Sequence, residues 1–106
     1  MSSWEMCEIR AKRLRKAGTG LNGQAHFQWE AEAIGPSGVY IAKRSSEFKS
    51  EEHQATETPI GQEYRPDYKH NKAALDKFIA ELARAGWEPI GKGERWYSYR
   101  FRKMAQ

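Results

Sequence analysis

The sequence predicts a single α+β domain over residues 1–106, in which an antiparallel sheet of four to five strands carries one helix on one face. Three observations predict this fold. One apolar stripe has helical spacing, several segments alternate with a period of two, and turns rich in Gly and Pro separate them. The expected order is three strands, a polar segment at residues 46–69, the helix and two closing strands.

The helix is predicted from four large apolar residues at i, i+3, i+4 and i+7. They are Leu75, Phe78, Ile79 and Leu82. Burial must stabilise it, because an isolated helix of about 14 residues is marginal in water, whereas each fully buried apolar side chain contributes about 1.5–3 kcal/mol. Asn71 is the expected N-cap, with Asp67 as the competing start. Gly86 suits the left-handed conformation that ends many helices.

The first two strands are predicted from alternation. Residues 4–14 place Cys7, Ile9 and Ala11 on one side of a strand. Residues 24–33 alternate more clearly, and their core-facing set is Ala25, Phe27, Trp29, Ala31 and Ala33. Because polar residues occupy the opposite side of this second strand, one face of the sheet is expected to be core and the other solvent.

The third strand follows a tight turn at residues 35–38, Gly-Pro-Ser-Gly. It is predicted over residues 39–45. Val39 and Ile41 are expected to face the core, with Tyr40, Ala42 and Arg44 facing outward.

Two strands are expected after the helix. Residues 87–90 form a short or edge strand, because Pro89 has no N–H for a ladder. Residues 91–93 separate it from the last strand, a spacing consistent with a hairpin or a wide bulge. In the last strand Tyr97, Tyr99 and Phe101 are expected under the helix, and the opposite side carries Trp96, Ser98, Arg100 and Arg102.

The junction after the helix reads Leu82-Ala83-Arg84-Ala85-Gly86-Trp87-Glu88 and leads into a strand. It resembles the ending of small uncharacterised bacterial α+β proteins, in which a helix is followed by Gly-Trp-Glu and a strand. The resemblance covers about the last third of the chain and implies antiparallel strands before the helix. It implies no activity. The polar segment at residues 46–69 departs from the compact members of that group.

Composition excludes several classes of protein. One cysteine, Cys7, excludes an internal disulfide framework and a Cys-rich metal site, and it is expected to face the core. No apolar run is long enough for a membrane span. Residues 1–9 contain two glutamates and lack the basic start and apolar centre of a signal peptide, so a cytoplasmic location is expected.

No catalytic constellation has supporting spacing, so we expect no enzyme, cofactor or metal site. The glycines of residues 18–23 match Gly-x-Gly-x-x-Gly, but a strand rather than a helix follows them, which favours a hairpin loop over a nucleotide site. The histidines His26, His53 and His70 have no Ser, Cys or Asp at a suitable interval. His53 lies beside two glutamates, but neighbouring residues converge poorly on one ion.

The charge is unevenly distributed. Basic clusters occupy residues 10–16 and 95–103, and the net charge is +4. Residues 46–69 hold six acidic and three basic residues, a balance of −3 that leaves +7 for the remainder. Because this segment lacks sustained periodicity, it is interpreted as a polar insert that is mobile or functional, or that folds back onto the basic body.

Two functional hypotheses follow. One helix covers only one face of such a sheet, so the first is a non-catalytic protein-interaction or ligand-binding module that self-associates as a homodimer or larger assembly through its uncovered face. The second is binding of single-stranded nucleic acid by the basic clusters beside an exposed Trp96. The alternative is that these residues are isolated surface side chains with no role in binding. The candidate contact residues are Trp4, Arg10, Lys12, Arg13, Tyr40, Arg44, Trp96, Arg100 and Arg102.

Overall fold

The computed structural model describes residues 3–15, 24–58 and 61–104, and for Arg15 and residues 52–64 within these ranges it describes the backbone alone. The elements are β1 (Trp4–Arg15), β2 (Ala25–Gly35), β3 (Gly38–Arg44), β4 (Phe48–Ser50), β5 (Glu52–Thr58), β6 (Gly61–Pro66), α1 (Tyr68–Arg84), β7 (Glu88–Lys92) and β8 (Tyr99–Met104). The predicted loop at residues 18–23 lies outside the described residues.

The main sheet is antiparallel and has six strands. Five of them run in the order β3-β2-β1-β8-β7, and β4 pairs with β2 beyond the end of β3. A separate two-stranded sheet is formed by β5 and β6. The α+β class is therefore confirmed, with one helix in the described part of the chain, but the expected four to five strands are too few.

Residues 46–69 were interpreted as a polar insert, and the structure shows regular elements there that the sequence did not predict. The segment contains β4, the β5–β6 hairpin and the first residues of α1. β4 spans only three residues, and it pairs with Ala25–Phe27 of β2. β5 and β6 are strands with few apolar residues, held by their mutual backbone pairing. A strand of three residues and strands with few apolar residues do not show the apolar alternation by which strands are recognised in a sequence.

The core lies between α1 and one face of the main sheet. Leu75, Phe78 and Leu82 of the helix are buried against the sheet. The sheet side of this core is built from alternate residues of β1, β2 and β8, which are Cys7, Ile9, Trp29, Ala31, Ala33 and Phe101. This confirms the predicted stripe and the core faces of the first two strands. Ile79 is only partly buried, at the margin of the cluster.

The helix begins earlier than expected. Asp67, rather than Asn71, is the N-cap, and its Oδ2 accepts a hydrogen bond of 3.1 Å from the backbone N–H of His70. Asn71 lies one turn inside the helix and is buried. At the other end Gly86 has φ of +96°, as expected. Trp87 N donates to Leu82 O and Gly86 N to Ala83 O, each at 3.0 Å, which is the paired bonding of a Schellman cap.

The first residues of β3 face the reverse of the prediction, whereas a register shift at Ala42 leaves Arg44 on the outward side that was predicted. Only two residues separate β2 from β3, so Gly35 pairs with Gly38 and Val39 pairs with Ile34. This places Val39 on the sheet face away from the helix, since directly paired residues of antiparallel strands share a face. Ile41 lies on the same face, opposite Glu32. The tight turn is confirmed. The strand register that it sets determines which side chains of β3 face the core.

The last strand is shorter than expected, and it begins at Tyr99. Residues 93–98 form a loop, so strand alternation does not apply to Trp96. Gly91 and Lys92 belong to β7, so the turn comes later than predicted. β7 and β8 form an antiparallel pair with a register shift between Pro89 and Gly91, in line with the predicted hairpin or bulge. β7 is an edge strand, as Pro89 suggested. Tyr97 and Phe101 are buried with the helix residues, and Tyr99 packs against that cluster, as predicted.

Candidate interaction face

The sheet face opposite α1 carries a continuous row of side chains across five strands. We call this surface the open face. Its central row follows the pairing register and consists of Val39, Ile34, Met6, Arg102 and Glu88. The helix α1 packs over the other face of the sheet. Within the described residues, neither the helix nor a strand of the main sheet packs over this row. The alternation of β1 and β2 therefore creates a core on one side and an accessible surface on the other.

One corner of the open face is apolar. It consists of Trp4, Met6, Ile34, Val39 and Met104, which we call the apolar corner, and these side chains are 42–65% exposed. They are neighbours rather than scattered residues, because Met6 pairs with Ile34, Ile34 with Val39, and Trp4 with Met104. Single exposed apolar residues are ordinary in soluble proteins, whereas contiguous patches mark contact surfaces.

The remainder of the open face carries arginines that are matched by glutamates. Four pairs cross between neighbouring strands: Arg10 with Glu32, Arg44 with Glu30 at 2.9 Å, Arg100 with Glu8 at 3.6 Å, and Arg102 with Glu88 at 3.4 Å. Such exposed pairs contribute little to stability, about 0–1 kcal/mol each. Their main effect is electrostatic, because they leave this part of the face nearly neutral.

A shallow groove joins the apolar and charged parts. It has a volume of about 270 Å³, and its walls include Met6, Ile34 and Ile90. Glu8, Arg10, Glu32 and Arg100 line the same groove. Beside it, the Arg102 guanidinium lies 4.5 Å from the centre of the Trp4 ring. This cation–π contact places a large aromatic side chain beside a positive charge at the edge of the apolar corner.

Six of the nine sequence-predicted contact residues are on the open face. They are Trp4, Arg10, Lys12, Arg44, Arg100 and Arg102. Arg13 and Tyr40 lie on the helix side, since they pair with Phe27 and Ala33. Tyr40 is exposed there, and its hydroxyl donates to Glu5 Oε1 at 2.7 Å.

Trp96 is not an exposed platform, which corrects the prediction. It is half-buried, and its ring meets those of Trp29 at 5.6 Å and Tyr68 at 5.1 Å. Its indole N–H donates to Pro66 O at 3.1 Å. The loop at residues 93–98 turns both Trp96 and Tyr97 against Trp29, which no strand pattern would allow.

Sequence reasoning missed part of the apolar corner. Ile34 continues the outward positions of β2, so its place could have been found by extending the alternation by one residue. The place of Val39 could not have been found in this way, because the face of the sheet on which it lies depends on the length of the turn. Met104 required the pairing of β8 with β1, which the sequence does not specify.

The described residues offer little reactive chemistry. Burial raises the pKa of the Cys7 thiol to about 12, although Lys103 opposes this shift, so Cys7 stays protonated and is a poor nucleophile. Among residues whose side chains are described, no three His, Cys, Asp or Glu converge as a metal site would require. Within the described ranges no helix has the length and apolar character needed to cross a membrane.

No protein-family model, curated protein or solved structure matches this chain. The geometry of the open face therefore supplies the argument for function.

Proposed function

We propose that this protein is a non-catalytic interaction module that self-associates through its open face. The single observation that carries this proposal is the apolar corner, whose members are contiguous in the sheet register and 42–65% exposed. Removing such a surface from water provides about 25 cal/mol per Å² of apolar area. A second copy of the same face is the proposed occupant.

Charge on the open face supports a second copy as the partner. A two-fold interface brings a surface against itself, so a surface with an excess of one sign would repel its own copy. Here Arg44, Arg100 and Arg102 each have a glutamate neighbour within 2.9–3.6 Å, and Arg10 is paired with Glu32. The charged part of the face can therefore lie against its own copy beside the apolar corner without an excess of like charge.

The test is the mass of the particle in solution. Size-exclusion chromatography with light scattering should give a dimer or larger species at high micromolar concentration. Met6→Lys and Ile34→Lys should each weaken association about tenfold or more, because burial of one such side chain contributes about 1.5–3 kcal/mol.

Leu14→Lys is the matched control. Leu14 lies on β1 and is 37% exposed, but it is far along the strand from the apolar corner. The Leu14→Lys substitution should leave association unchanged. A mass of one chain at all concentrations, or equal effects of all three substitutions, would contradict the proposal.

The nucleic-acid alternative is less well supported by the geometry. It relied on Trp96 as an exposed stacking ring, and that ring is half-buried against Trp29 and Tyr97. The arginines of the open face are also each close to a glutamate, which reduces the positive potential that phosphate groups require. If a single strand binds, Trp4 beside Arg102 is the side-chain pair that offers both stacking and charge.

A further inference from the structure

A cavity lies on the helix side of the sheet, between α1 and the segment that joins β3 to β4. Its volume is about 170 Å³, and we call it the helix-side cavity. The wall from α1 is a single stripe of residues at i, i+3, i+4 and i+7, which are Ala74, Lys77, Phe78 and Glu81. The open face is on the other side of the sheet, so the helix-side cavity is separate from the proposed self-association surface.

The opposite wall exists because this segment has one residue more than a regular strand pair would hold. Arg44 of β3 pairs with Glu30, and Phe48 of β4 pairs with Phe27. The three residues 45–47 therefore stand opposite only two residues of β2. An extra residue of this kind bends a strand away from its partner. The helix-side cavity lies between this bend and α1.

Hydrogen bonds around Ser45 fix this wall in place. Ser45 N donates to Trp29 O, and Trp29 N donates to Ser45 Oγ, each at 2.9 Å. Gln28 Nε2 donates to Ser45 O at 2.8 Å. Because the wall is already ordered, a ligand that enters has less conformational freedom to remove, which favours binding.

The floor of the helix-side cavity is aromatic. Trp29 and Phe78 are buried, Phe48 is partly buried, and all three line the cavity. The ring centres of Trp29 and Phe48 are 4.8 Å apart. An apolar cavity of roughly 150 Å³ is large enough for one benzene ring, and aromatic rings pack favourably against the faces and edges of other rings. The size and the lining therefore suit a ligand with a single aromatic ring.

Two residues that line the cavity carry hydrogen-bond donors without an acceptor. The indole N–H of Trp29 is buried and has no hydrogen-bond partner in the described part of the protein, although buried donors normally have one. Lys77 is exposed, and it forms no ion pair with any described side chain. A ligand that matches both residues has to carry an acceptor.

The glutamates at the rim do not supply this acceptor, because each has a partner of its own. Glu81 Oε2 lies 3.9 Å from Lys43 Nζ, and Glu47 pairs with His26. Lys77 is therefore the unmatched charge at the rim, and it favours a ligand with a negative group beside its ring.

We propose that the helix-side cavity binds a small aromatic carboxylate. The ring packs against Trp29, Phe48 and Phe78, and the carboxylate lies at the rim beside Lys77. This binding does not require the open face, so it and self-association can be tested independently.

The test titrates phenylacetate into the full chain and follows its amide and indole N–H signals by two-dimensional NMR. We expect a dissociation constant on the order of 1 mM or tighter, as is usual for so small a ligand. The signals of residues 45–48 and 74–81 and of the Trp29 indole should move together. Phenethylamine has a similar ring with a positive group, and acetate has the carboxylate without a ring. Each should bind at least about tenfold more weakly than phenylacetate, because each lacks one of the two required contacts.

Two substitutions, each with a matched control on α1, locate the site. Ala74→Leu fills the cavity and should abolish binding, whereas Ala80→Leu makes the same change at an exposed position outside the cavity and should not. Lys77→Gln should weaken phenylacetate binding about three- to tenfold, in line with the small value of single exposed charge contacts. Lys69→Gln removes the same charge from an exposed residue of the first helical turn and should leave binding unchanged.

The NMR spectrum of each variant also shows whether it folds. The proposal would be overturned by an absence of shifts at tens of millimolar phenylacetate, or by equal binding of phenethylamine. Equal dissociation constants for Lys77→Gln and Lys69→Gln would also overturn it.

Discussion

Asn71 Nδ2 donates a hydrogen bond of 2.7 Å to Ser50 Oγ, and this contact joins the first turn of α1 to β4. Both residues are buried, and Ser50 Oγ also accepts from Asp67 N at 2.8 Å. Asn71 Nδ2 has a second acceptor, Asp67 O, at 2.8 Å. The start of the helix is thus fixed to the sheet by buried polar contacts as well as by apolar packing.

Replacing either partner should destabilise the protein. We expect Asn71→Ala and Ser50→Ala each to lower the free energy of unfolding by about 1–3 kcal/mol, because each leaves a buried polar group without its partner. Urea unfolding measures both. The double variant should lose less than the sum of the single losses. Strict additivity would show that the 2.7 Å contact carries no coupling energy.

Gly86→Ala should cost about 1–2 kcal/mol. The cost is conformational, because Gly86 has φ of +96° and a side chain raises the energy of that region. A Cβ there would lie 3.5 Å from Lys103 Cδ, an ordinary contact, so crowding adds little. Gly86→Asn should recover part of the loss, since Asn tolerates the left-handed region better. Thermal or urea unfolding measures the stability of both variants. If Gly86→Asn were less stable than Gly86→Ala, this account would be contradicted.

Cys7 makes stability depend on alkaline pH. Its pKa is about 12 in the folded protein and 9.0 as the reference value, because burial disfavours the thiolate. The folded state therefore holds its proton where the unfolded state releases it. The contribution is complete below pH 9 and is lost progressively as pH rises from 9 toward 12.

Urea unfolding at pH 8 and pH 10 checks this sign. Between these values the wild type should lose about 1 kcal/mol more than Cys7→Ala, since one pKa unit corresponds to about 1.4 kcal/mol. A thiol reagent at pH 8 should label folded Cys7 far more slowly than the unfolded chain. Equal pH slopes, or rapid labelling of the folded protein, would show that the thiol is not protected.

The sequence predicted the parts of the fold that depend on periodicity. The stripe of Leu75, Phe78 and Leu82 and the alternation of β2 are strong signals, because each repeats several times along one element. Asp67 and Asn71 are both good N-cap residues, and local preference could not choose between them. The choice depends on Ser50, which lies 17 positions before Asp67 and reaches it only in the folded sheet.

The candidate site was less predictable, because register places its members. Alternation along β1 correctly put Trp4 and Arg10 on the open face. The turn of two residues between β2 and β3 moved Val39 to that face and Tyr40 away from it. The loop before β8 placed Trp96 against Trp29, where it is half-buried. These outcomes depend on which residues pair across strands, and a single sequence does not encode that pairing locally.

The β5–β6 hairpin forms a separate sheet, and neither of its strands pairs with a strand of the six-stranded sheet. Foreign sequence inserted between Thr58 and Gly61 should therefore leave the pairing of the six-stranded sheet unchanged. An epitope or a reporter inserted there would label the molecule without changing the residues of the open face.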